Sequence, residues 1–136
     1  LASPDGCHRG WVWQQYDHEV GAGTVAGPGG DAAVVEVPDT DIRLAMTVDC
    51  NARHVLLEPK VGALGVIAEA ARNSACVGAT PLAATDRLNF GSPERPDVAW
   101  QLSESVDGLT IGCKASDLPI ISGHVVPVPY TPLRAP

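Results

Sequence analysis

The sequence predicts an α+β domain, a layer of about four strands with two helices on one face. Two observations predict this class. Hydrophobic residues make up 45% of the 136 residues and aromatic residues only 4%, so the core must be Val, Ala, Leu and Ile, a composition typical of helix and sheet layers. Strand and helix patterns also alternate along the chain, in the order β-β-α-β-α-β.

The first half of the chain predicts a hairpin followed by a helix. Residues 27–37 are predicted to form a glycine-rich turn that runs into a short strand, and a second strand over 42–49 follows the turn PDTD. A helix is predicted over 60–77, and Gly78 stands where a left-handed cap ends a helix. The apolar positions of this helix are Val61, Leu64, Ile67, Ala68, Ala71 and Ala75.

The second half predicts a buried strand, a helix and a last strand. The strands cover residues 80–90 and 118–126, and the helix between them begins with Ser92 as its N-cap and Pro93 in its first turn. Its apolar stripe comprises Val98, Leu102, Val106, Leu109 and Cys113. Because the strands DAAVVEV and PIISGHVV look apolar on both sides, we expect the uncovered sheet face to pack against another sheet and the isolated chain to be at least dimeric.

Composition and charge exclude several classes of partner. The formal net charge of −7 disfavours nucleic-acid and anionic-membrane binding, which both need a basic face. The apolar stretches are too short to span a bilayer, and the four scattered cysteines form no C-x-x-C pair, so we expect a cytoplasmic protein with reduced thiols. We expect one domain over residues 1–126 and a proline-rich tail over 127–136, with both ends of the chain looking cut.

The stretch TDRLNFG, residues 85–91, places a carboxylate, a guanidinium and an amide at the end of a strand that is predicted to be buried. A rigid sheet that delivers polar groups to one point is typical of the rim of a ligand site. The stretch therefore predicts a binding site, and the type of ligand must come from other parts of the chain.

Three segments resemble a known family. They are residues 16–35, 47–102 and 120–126, and they contain the unusual strings EAARN and TDRLNFG at matching spacing. On these segments, nearly the whole chain resembles the phosphoribosylformylglycinamidine synthase family. Within that family it is similar to the N-terminal subdomain of the second internal repeat, a PurM-like N-terminal domain.

The resemblance implies an ATP-dependent ligase of purine biosynthesis, which converts the amide of formylglycinamide ribonucleotide into an amidine. The implied cofactors are Mg²⁺ and ATP or ADP. The implied partners are the first repeat and the C-terminal subdomains of the synthase, a glutaminase that supplies ammonia, and small accessory subunits. N-terminal domains of this family pair their sheets into a central barrel, which agrees with the uncovered sheet face, so an isolated chain is expected to form a homodimer.

By the same resemblance, Asp86 and Gly123 are the nucleotide-binding positions. A glycine suits this role because a backbone without a side chain lets phosphate oxygens approach closely. For each residue a structural alternative stays open. Asp86 could instead cap the loop after its strand, and Gly123 could belong to a simple turn.

Two residues of the last strand depart from the family. His124 stands where the family has an asparagine that binds magnesium, and imidazole is a poor ligand for a hard cation. Val126 replaces a serine that contacts the substrate in the family. These changes put metal and substrate binding by this strand in doubt, and they leave packing or hydrogen bonding as the alternative role of His124.

A second set of oxygen-bearing residues points to magnesium. Glu69 and Asn73 are four residues apart, which places them on one face of the predicted helix, and Asp31 ends the turn GPGG. Carboxylate and amide oxygens are ligands that Mg²⁺ prefers. The resemblance implies an auxiliary, non-catalytic metal and nucleotide site at these positions. In the alternative interpretation, Glu69 pairs with Arg72 or faces solvent.

The sequence contains no complete catalytic set. The catalytic histidine of the family belongs to the first repeat, so His8, His18 and His54 do not inherit its role, and the chain alone is not expected to catalyse. Two rival functions remain. One is a catalytically inactive structural or assembly module, a truncated paralogue, and the other is a different ATP-using member of the superfamily, such as a small-molecule kinase.

Overall fold

The computed structural model of the chain describes residues 6–127. The elements run α1 (Gly10–Trp13), a 3-10 turn (Val20–Ala22), β1 (Thr24–Ala26), β2 (Ala33–Glu36), β3 (Arg43–Met46), α2 (Ala52–Leu57), α3 (Pro59–Cys76), β4 (Ala84–Phe90), α4 (Pro96–Ala115) and β5 (Ile120–Pro127). They fall into two compact units, residues 6–48 with 73–79 and residues 49–72 with 80–127.

The first unit contains a three-stranded antiparallel sheet in the order β1-β2-β3. The pairing of β2 with β3, in which Val35 lies opposite Leu44, confirms the predicted hairpin. Its turn closes where the Val37 amide donates to the Ile42 carbonyl at 2.9 Å. The apolar residues of this hairpin thus sit on short strands, four residues each.

The strands of the first unit differ from the prediction in length and number. β2 lies within the turn and strand predicted over 27–37, and the preceding residues form the predicted turn, in which Gly29 adopts a φ of 102°. β3 is shorter than predicted, because it covers Arg43–Met46 and not residues 42–49. β1 was not predicted. It has only three residues, too few for an alternating pattern to be read from the sequence.

The second unit contains a parallel pair, β4 and β5, joined by helix α4. The described strands therefore form one sheet of three strands and another of two, instead of the single layer of about four that the sequence predicts. Local patterns identify four of the five described strands, all except β1. Which strands share hydrogen bonds depends on contacts between residues far apart in sequence, and local periodicity carries no information about these contacts.

Helices α3 and α4 approach each other through small residues. A Cβ on Gly108 would overlap the Lys60 carbonyl oxygen, and one on Gly112 would lie 3.0 Å from the Ile67 Cβ. Ser105, one turn before Gly108, is 2% exposed and donates its hydroxyl to the Gln101 carbonyl. Close contact of two helix backbones requires such residues at the crossing.

The core of the second unit lies between these helices and the parallel strands. It consists of buried Ile67, Cys113 and Leu118, with half-buried Ala84 and Leu109 packed against it. Contact of α3, α4 and β4 in one cluster places the helices on one face of the β4–β5 pair. This agrees with the predicted helical layer, though for two strands only.

The buried faces of the helices match the prediction only in part. Ile67, Val98 and Cys113 are buried as predicted, whereas Val61, Leu64 and Val106 are exposed although the sequence placed them on apolar faces. The residues that are buried in α3 are Pro59, Gly62, Ala63 and Ile67. Helix α4 also begins at Pro96 and not at Pro93, because residues 92–95 form a turn in which the Ser92 hydroxyl accepts from the Glu94 amide.

The helix ends follow their local sequence in two places. Gly78 has a φ of 81° just beyond α3, which confirms the predicted left-handed cap. Helix α2, which was not predicted, starts where the Asn51 side chain accepts from the His54 amide at 3.1 Å.

β5 continues to Pro127, the first residue of the predicted tail, and the rest of that tail lies outside the described residues. No described helix is both long and apolar enough to cross a membrane.

Candidate functional site

The parallel pair brings the two predicted nucleotide-binding residues side by side. Asp86 of β4 is the register partner of Gly123 of β5. Burial alternates along β4, so that Asp86 and Leu88 are half-buried on the face that the helices cover, whereas Arg87 and Asn89 are exposed. The local alternation of the strand thus determines which polar groups reach which face.

The Asp86 carboxylate lies directly against the Gly123 backbone. A Cβ built on Gly123 would lie 2.6 Å from Asp86 Oδ1 and 2.9 Å from both Cγ and Oδ2. Any larger residue at position 123 would therefore displace the carboxylate. Gly123 has an ordinary extended backbone, which any residue could adopt. The close approach of the carboxylate, and not the backbone conformation, therefore explains why position 123 is a glycine.

The Asp86 carboxylate is half-buried and accepts no hydrogen bond from any residue in the part of the chain that the structure describes. Burial first, and then the charge of Asp86, raise the pKa of the Cys113 thiol. The carboxylate therefore acts electrostatically on helix α4, and none of residues 6–127 holds its oxygens by a hydrogen bond. A carboxylate in this situation can bind a cation or accept a hydrogen bond from a ligand.

The opposite face of the β4–β5 pair is polar. Arg87 and His124 are register partners on that face and are both exposed, and Thr85 is paired with Ser122 one step earlier along the strands. The expectation that this face is apolar is therefore wrong for β4 and β5. The exposed apolar residues of β5, Ile121 and Val125, alternate with these polar positions and share the face of Gly123.

His124 lies away from the Asp86 carboxylate, on the other face of the sheet. Its imidazole makes no hydrogen bond or ion pair with the residues from 6 to 127. Packing does not explain its position, because the side chain is exposed. Arg87, its register partner, received no role from the sequence, and only the pairing register shows that the two residues adjoin.

Asp31, the first residue of the predicted magnesium set, lies in the first unit. It is exposed in the turn before β2, and its carbonyl oxygen accepts from the Thr47 hydroxyl at 3.4 Å. The turn borders a shallow hollow whose lining includes His18, Thr24 and Met46. The hydrogen bond from Thr47, the residue after β3, thus fixes the Asp31 backbone, while the Asp31 side chain is exposed.

Glu69 and Asn73 lie one turn apart on α3, as their spacing predicts, and both are half-buried. Their oxygens are suitable ligands for Mg²⁺. Among residues 6–127, no three His, Cys, Asp or Glu side chains gather in a geometry that would hold a metal ion. The auxiliary site formed by Asp31, Glu69 and Asn73 therefore stays a prediction.

The other three histidines lie outside the candidate site. The His8 ring packs edge-on against Trp13, with centroids 5.2 Å apart, and its Nδ1 accepts from the Gly10 amide. The His18 carbonyl accepts from the Thr24 hydroxyl, and His54 lies in α2. None of these three imidazoles lies in the β4–β5 pair that carries Asp86.

Comparison with known protein families identifies residues 29–134 as AIR synthase related protein, N-terminal domain. The matched segment covers most of the chain and includes every predicted site residue. It also contains the whole β4–β5 pair.

Solved structures of PurL from Thermotoga maritima are similar to the chain. The PurLQS structure is 33% identical over 91% of this chain, with a TM-score of 0.81, and PurL complexed with AMPPCP is 30% identical over 99%, with a TM-score of 0.78. A structure of phosphoribosylformylglycinamidine synthase II from the same organism is 32% identical over 92%, with a TM-score of 0.75. The chain spans only 20% to 23% of the length of these proteins.

Proposed function

Since the chain belongs to the AIR synthase related protein family as its N-terminal domain, we propose that it is the nucleotide-binding N-terminal subdomain of a phosphoribosylformylglycinamidine synthase, from the second internal repeat. In this role it supplies part of a magnesium and ATP site to the ligase that forms formylglycinamidine ribonucleotide. The T. maritima structures with AMPPCP, ATP and ADP support nucleotide binding as the role of this fold. The chain alone is not competent to catalyse.

The observation that carries the proposal is the position of the Asp86 carboxylate against Gly123. A carboxylate repels bare phosphate, so its role is to bind the Mg²⁺ that neutralises the phosphates of ATP or ADP. Gly123 contributes by leaving the backbone beside that carboxylate open. The two residues together suit a metal-bridged nucleotide, with Asp86 as the protein ligand.

The auxiliary site is a second part of the proposal. Asp31, Glu69 and Asn73 would hold a magnesium-bound nucleotide through oxygen atoms, the ligand type that Mg²⁺ prefers. His124 has no part in metal binding, because imidazole suits softer cations and its register partner is the cationic Arg87. The chain thus has one candidate metal site near Asp86 and one near Asp31.

The proposal extends to partners. They are the remainder of the synthase, a glutaminase and small accessory subunits in the cytoplasm, and the PurLQS structure of T. maritima supports an assembly of this kind. An isolated chain would dimerise by completing a barrel. Sedimentation of the purified chain tests this part separately, and a strictly monomeric species over a wide concentration range would contradict it.

Isothermal titration of ATP and ADP, each with and without Mg²⁺, tests the central proposal. We expect binding that depends on magnesium and is lost in Asp86→Ala. An Asp117→Asn variant is the matched control, since Asp117 is an exposed aspartate of the same unit beyond the end of α4. An Asp31→Ala variant reports on the auxiliary site in the same titration.

The outcomes separate the two sites. Loss of binding in Asp86→Ala alone supports the site at Gly123, and loss in Asp31→Ala alone assigns the nucleotide to the auxiliary site instead. Equal binding by all variants, or binding that ignores magnesium, would contradict both assignments.

A structural or assembly module is the alternative function. The presence of His124 and Val126 in place of the asparagine and serine of the family favours it, because these changes remove oxygen ligands from β5. It predicts no heat with any nucleotide and an unchanged melting temperature with magnesium nucleotide. A kinase-like member of the superfamily would instead transfer phosphate to an added small molecule.

A further inference from the structure

We propose that the segment after β5, residues 128–136, docks across the first half of α4 and covers the Trp100 ring. The segment reads VPYTPLRAP and lies outside the described residues. Trp100 belongs to the second turn of α4, and 56% of its surface is exposed. The docking surface is on the helix side of the second unit, away from the sheet face that barrel pairing would cover.

Trp100 lies in an exposed apolar surface to which three helices contribute. Glu104 and Asp107 follow Trp100 by four and seven residues, so they lie on the same side of α4. Lys60, at the start of α3, reaches this side and pairs with both carboxylates, at 3.1 Å and 3.3 Å. Helix α2 also packs against α4. The exposed apolar residues of this α2–α4 surface are Leu56, Leu57, Val61 and Trp100. Large apolar side chains exposed together mark a surface that binds another polypeptide segment.

The segment begins close to this surface. Pro127, the last residue of β5, is the register partner of Phe90, the last residue of β4. The next residue, Gly91, lies against the first turn of α4, because a Cβ on Gly91 would be 3.6 Å from the Val98 side chain. Trp100 is only two residues beyond Val98. The chain therefore leaves β5 beside the part of α4 that carries the ring.

The segment is long enough to reach the ring. Val98 is buried, and a residue two positions later points about 200° around the helix, so Trp100 faces away from the strands. The segment must therefore cross a helix that is about 10–12 Å wide. Nine residues in the extended polyproline conformation cover about 28 Å, which exceeds that width.

The composition of the segment suits an aromatic surface. Pro129 and Pro132 are three residues apart, a spacing that puts both on one edge of a polyproline helix with three residues per turn. Segments with this spacing dock against aromatic side chains, because their preformed conformation loses little entropy on binding. Tyr130 and Leu133 add apolar area on the next edge. Arg134 is the only charged side chain of the segment, and it suits a surface where two carboxylates share a single lysine.

The covalent link favours this occupant over a separate partner. A segment that is joined to the domain at the end of β5 has an effective concentration of about millimolar at the α2–α4 surface. A second copy of the chain, or another protein, must reach that concentration in solution to compete. The segment therefore covers Trp100 within the same chain.

Nuclear Overhauser effects from the Trp100 ring in the full chain test the proposal. Trp100→Phe assigns its indole signal among those of the three tryptophans. We expect contacts between this ring and the protons of Pro129 and Pro132. Pro129→Ala combined with Pro132→Ala should remove these contacts and shift the Trp100 indole resonance, while the resonances of Trp11 and Trp13 stay in place.

Thr131→Ser is the matched control, because residue 131 belongs to a different edge of a polyproline helix. An equal shift of the Trp100 resonance in this variant and in the double proline variant would overturn the proposal. Absence of any contact between the ring and residues 128–136 would do the same. A mixture of isotope-labelled and unlabelled chains separates the two remaining outcomes. Contacts within one chain support the proposal, and contacts only between chains would assign the surface to a second copy instead. Because the solution holds neither metal nor nucleotide, a negative result leaves the Asp86 proposal intact.

Discussion

The carboxylate of Asp86 occupies the space that a side chain at position 123 would need. An ideal Cβ on Gly123 lies 2.6 Å from Asp86 Oδ1, closer than real Cβ contacts come, and the two residues are direct register partners. The position of the acid and the absence of a side chain opposite it therefore depend on each other. This mutual dependence is open to measurement without any ligand.

Gly123→Ala should destabilise the chain, although glycine to alanine in an extended backbone normally stabilises by about 0.4–1 kcal/mol through the unfolded state. The added methyl group and the Asp86 carboxylate cannot both keep their places. Overpacking of this kind costs about 1–3 kcal/mol, and we expect the lower end of that range, because no described residue holds the Asp86 carboxylate by a hydrogen bond and the carboxylate can rotate aside. Urea unfolding of both proteins measures the difference.

A double-mutant cycle separates this contact from other effects of the substitution. In the Asp86→Ala background the oxygen atoms are gone, so Gly123→Ala should cost much less or become stabilising. If Gly123→Ala costs the same in both backgrounds, the carboxylate is not what excludes a side chain at position 123.

The contact of α3 with α4 should tolerate no side chain at position 108. In Gly108→Ala the new Cβ meets the Lys60 carbonyl oxygen and the Ala63 side chain, and backbone atoms cannot rotate away. We expect a loss of at least about 3 kcal/mol, or failure to fold, since the helices must separate. Chemical unfolding monitored by circular dichroism gives the value.

Gly65→Ala is the control for helix propensity. Gly65 lies on α3 and nothing comes within 4 Å of its added Cβ, so alanine should stabilise by up to about 1 kcal/mol. Opposite signs for the two substitutions would attribute the loss to packing at the crossing. A similar small gain at both positions would mean that the helices do not approach as closely as the structure has them.

The packing of these helices explains what apolar periodicity could and could not predict. The pattern identified both helices and correctly placed Ile67, Val98 and Cys113 in the core, but it also assigned Val61, Leu64 and Val106, which are exposed, to the buried faces. The buried contact instead uses Gly108 and Gly112, because the closest approach of two backbones requires small residues. A hydrophobic scale gives such residues little weight, so these contact positions could not be predicted from it.

The candidate site, like the helices, could be predicted from the sequence only in part. The residues of TDRLNFG and the glycine before His124 were identified through their resemblance to a family, and alternation along β4 correctly separates Asp86 from Arg87. The register that places Asp86 beside Gly123 is set by strands 37 residues apart in sequence, which no local pattern specifies.

The ion pairs of Lys60 should make stability fall at alkaline pH. Its Nζ lies 3.1 Å from Glu104 Oε2 and 3.3 Å from Asp107 Oδ2. The hydrogen bond to Glu104, followed by that to Asp107, raises the pKa of Lys60 above its ordinary value of 10.5. The contribution of the pairs is full below that ordinary value and is lost as pH rises through the higher folded pKa.

Lys60→Met removes the charge and keeps most of the stem. We expect it to be less stable than wild type at about pH 8, with the difference shrinking as pH rises above the ordinary lysine value of 10.5. High salt should shrink the difference at neutral pH as well, because the side chains are partly exposed. A difference that stays constant with both pH and salt would assign the effect to the packing of the lysine stem.

Cys113 should report the charge of Asp86 directly. Its thiol is buried in the core cluster, and burial together with the nearby Asp86 carboxylate raises its pKa. Since the thiolate is the reactive form, iodoacetamide should modify exposed Cys50 and Cys76 well before Cys113. Mass spectrometry of the native chain over a range of pH gives the midpoint for each cysteine.

Asp86→Asn keeps the size of the side chain and removes its charge, so the pH midpoint of Cys113 labelling should move down while those of Cys50 and Cys76 stay in place. Asp41→Asn, an exposed carboxylate of the first unit, should leave all of the midpoints unchanged. The midpoint is the decisive quantity, because a looser core would speed labelling at every pH without moving it. An unmoved Cys113 midpoint in Asp86→Asn would mean that the carboxylate lies too far from the thiol, or too well solvated, to act on helix α4.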